Sequence, residues 1–219
     1  MKISTASMKS LLPVFLFSMT LGGGVARATV IFNSLDETTT AGFYPIAPGG
    51  GNGGPLGASF LTGASASTLS SVSVFLYDPS GATTGSFSIS LFSNSGSNTP
   101  GTLLETLATP SDSILPGAGT FGAFTYSGLS YVLAANTEYW IELSGANSHL
   151  GWEGTSDTSG IGVSGQFFYD NGGSFSNSQT GPQQMTINTS AFAAVPEPSA
   201  LFLCGLLGGV AFFHRRSAK

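Results

Sequence analysis

Gly85-Ser86-Phe87-Ser88-Ile89-Ser90-Leu91 alternates strictly, with Phe87, Ile89 and Leu91 on one side of an extended chain and serines on the other. A period of two is the mark of a half-buried strand. Glu138-Tyr139-Trp140-Ile141-Glu142-Leu143 repeats it, setting Tyr139, Ile141 and Leu143 against Glu138, Trp140 and Glu142. Working outward, the same reading predicts strands over 29–35, 57–62, 68–77, 102–107, 120–126, 161–169 and 183–188. Turn chemistry separates them: Asp78-Pro79-Ser80-Gly81, Asn94-Ser95-Gly96, Thr99-Pro100-Gly101, Pro116-Gly117 and Asn171-Gly172-Gly173. Two stretches read as loops, Pro45 to Pro55 and Ser144 to Gly160. Away from the two ends no segment has a helical period. The expected fold is all-β, an antiparallel β-sandwich or jelly roll, flanked by an N-terminal signal peptide and a C-terminal transmembrane helix.

A Gly/Ser-rich chain can stay open. Here aromatic residues make up 11% of the sequence and are spread along it. Disordered chains lack them, so a packed domain is expected.

Charge is distributed unevenly. The chain has six Lys or Arg and eleven Asp or Glu. Lys2, Lys9 and Arg27 lie at the front, and Arg215, Arg216 and Lys219 at the back. All the acids except Glu197 fall between residues 29 and 195, where there is no Lys or Arg. Nucleic acid is thereby excluded as a partner, because binding its backbone requires basic side chains. A phosphate-binding P-loop lacks its lysine.

The ends read as addresses. Lys2 and Lys9 precede the apolar run Leu11 to Val25, and Ala26-Arg27-Ala28 supplies the small-x-small pattern of a signal-peptidase site. Residues 1–28 are expected to be a signal peptide, and 29–194 an exported β-domain. At the other end, Pro196-Glu197-Pro198 precedes the apolar run 200–213 and then Arg215-Arg216. Such a helix would be about 21 Å long, a short span that snorkelling arginines can extend. The arginines are expected to stay on the cytoplasmic side. Cys204, the single cysteine, lies within this run, so the domain has no disulfide.

Pro-Glu-Pro, a short apolar helix and a terminal Arg cluster, together covering 195–219, resemble the PEP-CTERM sorting signal. The resemblance implies recognition of Pro196, Glu197 and Pro198 by an exosortase, a membrane-embedded transpeptidase-like enzyme of exopolysaccharide-making Gram-negative bacteria. It also implies transit through the membrane to the cell surface or extracellular matrix. Within the domain, Leu69-Ser-Ser-Val-Ser-Val-Phe-Leu, Ser88-Ile-Ser-Leu-Phe-Ser-Asn, Pro100-Gly-Thr-Leu-Leu and Leu133-Ala-Ala-Asn-Thr-Glu-Tyr-Trp-Ile resemble the choice-of-anchor β-domains of bacterial surface proteins, type R. That family carries no assigned activity.

Catalytic sets are sparse. His149 is the domain's single histidine, and no Gly-x-Ser-x-Gly elbow is present. One histidine and no cysteine do not make a zinc site. Glu138 and Glu142 sit four residues apart on one strand, about 13 Å, too far for a glycosidase pair at roughly 5–9.5 Å. Trp140, between these glutamates, and Trp152 in the long loop are the candidate stacking residues for a neutral glycan. Asp36 with Glu37, or Glu153 with Asp157, are the candidate ligands of a structural calcium. The domain is expected to have no enzymatic activity and no other cofactor. Its role is structural or interacting, with exopolysaccharide as a candidate partner.

Overall fold

The computed structural model describes residues 28–38, 42–47, 54–115, 117–170, 176–178 and 182–191. The described residues are all-β with antiparallel sheets. Among the described residues thirteen strands run in the order β1 (Ala28–Asn33), β2 (Gly42–Pro45), β3 (Leu56–Leu61), β4 (Ser67–Asp78), β5 (Ser88–Asn94), β6 (Pro100–Ala108), β7 (Thr120–Ser127), β8 (Val132–Leu133), β9 (Glu138–Ser144), β10 (Gly151–Gly154), β11 (Phe168–Asp170), β12 (Ser176–Ser178) and β13 (Met185–Ala191). One 3-10 turn, Asp112–Ile114, interrupts them. Among the described residues no helix is long and apolar enough to cross a membrane. The signal-peptide run and the 200–213 helix lie outside the described residues.

The first sheet is built on β4. On one side β4 pairs with β13 and, further along, with β10; on the other it pairs with β8 and β7. The strands β1 and β2 lie beyond β13 and β10. The second sheet has the order β12-β11-β3-β9-β5-β6. Alternation on β4 turns Val72, Val74 and Leu76 inward, while Ile89 and Leu91 of β5 and Ile141 and Leu143 of β9 face them from the second sheet. All seven are fully buried and belong to one core. Burying a side chain of this size contributes about 1.5–3 kcal/mol, which is the main force holding the sheets together.

The 144–160 loop is corrected by the structure. It contains β10, a four-residue strand buried along its whole length. Periodicity misses it because both of its faces are covered, so nothing alternates. The strand predicted over 161–169 is also largely a turn. Gly162 and Gly165 adopt φ of 68° and 83°, and the strand begins only at Phe168. A β-carbon on Gly162 would sit 2.3 Å from the Ile31 carbonyl oxygen, so the turn packs directly on β1. The predicted turn at Asp78 is present: its Oδ1 accepts from the Ser80 and Gly81 amides at 2.9 and 2.7 Å.

Candidate functional site: an aromatic strip on the first sheet

The outer face of the first sheet carries a ladder of aromatic rings. On β4, Phe75 and Tyr77 occupy the face opposite Val74 and Leu76. Cross-strand register sets Phe121 of β7 opposite Tyr77, with ring centroids 4.5 Å apart. Phe121 also stacks on Phe75 at 6.2 Å. On the other side Phe43 of β2 reaches Tyr77 at 4.7 Å, although β10 lies between their strands. Gly151 permits this, because it is the β10 residue over which Phe43 leans. Tilted pairs at these spacings contribute about 0.5–1.5 kcal/mol each beyond area burial. Phe43 remains 41% and Phe121 54% exposed.

The same face continues as a field of hydroxyls and amides. Ser73 and Thr125 are paired at 2.7 Å, Asn188 donates to Ser71 Oγ at 3.1 Å, and Thr186 donates to Asn33 Oδ1 at 2.8 Å. Register places these side chains on the side of the sheet that bears Phe75 and Tyr77.

Trp140 and Trp152 do not form a glycan platform, which corrects the sequence expectation. Both are fully buried. Trp152 is part of the core, with Leu76 and Tyr44 as register partners, and its Nε1 donates to the Gln184 carbonyl at 3.0 Å. Trp140 does share the outer face of the second sheet with Glu138 and Glu142, but that face is covered where Trp140 lies. Ser59, its register partner on β3, is bonded to Gln166 and to the Phe167 amide at 2.9 and 2.8 Å. Trp140 Nε1 reaches Asn94 Oδ1 at 3.4 Å, and the Asn94 amide donates to Glu138. Glu142 lies between Gly57 and Ser90, and burial pushes its carboxyl up to about 7.

The other carboxylates serve the fold. Asp112 is buried and ties the crossing between the sheets, accepting from Ser148 Oγ at 2.9 Å and the His149 amide at 2.6 Å. The His149 side chain is exposed. Of the calcium candidates, Glu153 is buried on β10, and burial raises its carboxyl. Asp157 instead meets Glu37: a hydrogen bond shared with Asp157 raises the Glu37 carboxyl, while the Ser159 amide, 2.8 Å from Oδ1, lowers that of Asp157. Among the described residues no group of three or more His, Cys, Asp or Glu is placed to hold a metal ion.

Of the address residues, Ala26, Pro196, Glu197, Pro198, Arg215 and Arg216 lie outside the described residues. Ala28 opens β1 and pairs with Ser190 of β13. An open groove of about 420 Å³ lies beside this pair, lined by Thr29, Ile31, Ser67 and Thr189 among others. No protein-family model matches the chain, and no curated protein matches it in sequence.

Proposed function

We propose that the chain is an exported, exosortase-sorted protein of the cell surface or exopolysaccharide matrix, with a structural or interaction role and no catalysis of its own. Its domain is read as an antiparallel β-sandwich of the jelly-roll kind, delivered through a signal peptide ending at Ala28. It is held in transit by a 200–213 transmembrane helix. The observation that carries the reading is the confinement of every Lys and Arg to the two address segments, with the Pro196-Glu197-Pro198 triplet ahead of the second. The Ala28–Ser190 pairing supports it, since the two address segments then adjoin the domain at the same end of two neighbouring antiparallel strands.

Proline fixes its own φ and pushes the preceding residue into an extended form. Val195 and Glu197 are therefore read as a rigid, extended recognition element just outside the membrane. A simple anchor would ignore the triplet. Pro196→Ala with Glu197→Gln is expected to leave membrane insertion intact and to block onward sorting in an exosortase-bearing host. Fractionation of a tagged chain reads the outcome, and normal surface delivery of this variant would reduce the tail to a plain anchor.

A further inference from the structure

We propose that Phe43, Tyr77 and Phe121, backed by Phe75, form a stacking platform for a neutral polysaccharide chain. The proposal names a partner for the interaction role above and rests on that reading for its cellular setting. The binding chemistry itself is independent of sorting.

Three observations select this occupant. The first is charge. Residues 29–195 contain no Lys or Arg and carry all the acids but one, so an acidic polysaccharide or an anionic lipid surface would be repelled with nothing to pair it. A neutral chain meets no such penalty. The second is area. An aromatic side chain offers about 150–250 Å², so Phe43 and Phe121 at 41% and 54% exposure present roughly 200 Å² between them. A standard protein interface needs about 800 Å² per partner. The strip is too small for a second copy of the chain, but suits one or two sugar rings.

The third is the pattern of the face. A pyranose shows an apolar C–H face ringed by equatorial hydroxyls. The strip offers exposed apolar surface at Phe43 and Phe121, whose rings lean on the two sides of Tyr77 at centroid distances of 4.7 and 4.5 Å. Beside them stand the exposed Thr125 and the half-buried Ser71 and Asn188, whose hydroxyls and amide both donate and accept. A chain stacked on Phe43 and Phe121 places its hydroxyls over that field and the Tyr77 phenol. Aromatic rings cost little conformational entropy to hold, and here they already brace one another.

The test is affinity electrophoresis of the purified full chain in mild detergent. The gels contain hydroxyethyl cellulose, xyloglucan, mixed-linkage glucan or dextran, with alginate as the acidic control. Retardation by at least one neutral polymer and none by alginate is expected. Phe43→Ala with Phe121→Ala should weaken that retardation about tenfold or more, and Phe121→Trp should preserve it. Both altered positions are exposed, so circular dichroism of the double variant should match the parent. If the double variant does not fold, the single variant Phe121→Ala, read on the same gels, carries the test. The proposal is overturned by migration unaffected in every neutral gel, or by retardation that survives the loss of both rings. It is also overturned by a parent dimer in light scattering that the double variant converts to monomer, since the occupant would then be a second copy. Failure of the sorting experiment would leave these gels unchanged, so the two readings fail separately.

Discussion

The Phe43 ring occupies the space that a β-carbon on Gly151 would fill: that atom would sit 2.4 Å from Phe43 Cδ2 and 3.1 Å from Phe43 Cβ. The outer strand can therefore send its side chain across β10 to Tyr77 only because residue 151 has none. Gly151→Ala should push Phe43 off Tyr77 and cost about 1–3 kcal/mol, the range for overpacking a filled site. Urea denaturation with the parent as reference measures it. A change below about 0.5 kcal/mol would mean that Phe43 moves aside freely and that the strip is not held in place.

Glu142 should make stability fall as pH rises. Its carboxyl titrates near 7 in the fold because burial disfavours the charged form, against an ordinary value of 4.5. Between these values the folded chain keeps a proton that the unfolded chain has released, so stability drops through that window and levels off above it. Glu142→Gln should remove this slope and stabilise the chain at pH 8. Because the side chain is partly exposed, the gain is about 1–2 kcal/mol, less than the full shift implies. Melts of parent and variant from pH 4 to 9 decide it, and parallel curves would refute it.

Tryptophan emission should report a protected environment. Trp140 and Trp152 are both fully buried, so acrylamide should quench the native chain weakly and the denatured chain strongly. Neutral glycans should leave the emission maximum in place, because neither indole touches the strip. A glycan-induced shift would return the binding role to the tryptophans.

Asp112→Ala should be costly. It strands the Ser148 hydroxyl and the His149 amide, two donors that the carboxylate holds where the chain passes from β9 to β10. With each stranded donor worth about 1–3 kcal/mol, a loss of roughly 2–4 kcal/mol is expected. Asp112→Asn keeps an acceptor and should recover part of it. Equal losses in the two variants, measured by urea denaturation, would count against this role.

Strands with one covered face could be read from residue types alone. Phe87, Ile89 and Leu91 alternate with serines because one side of β5 meets the core, and Tyr139, Ile141 and Leu143 do the same on β9. Four residues bounded by glycines and buried throughout, as in β10, offer no contrast to read. The grouping of Trp140 with Glu138 and Glu142 was visible in the spacing. Its burial was not, because the cover comes from Gln166 and Phe167, which the fold alone brings to Ser59. The strip was hidden for a similar reason, since Phe43, Tyr77 and Phe121 meet only through the register of four strands. One local sign was available. The stretch Val74-Phe75-Leu76-Tyr77 is apolar on both sides, more than a strand with one solvated face requires.

Met185–Ala191 sits inside its sheet, bonded to β1 on one side and to β4 on the other. A chain emerging from its N-terminus therefore presents both of those strands as bare edges until its last described segment has followed. Contacts of such long sequence separation close late, and bare edges invite pairing with other chains. The interval of emergence is thus the hazardous one. Removing residues from Met185 onward would not trim a loose end. It would leave a gap in the middle of the sheet, with β1 cut off from β4 and held mainly by its contacts with the turn at Ile161 and Gly162.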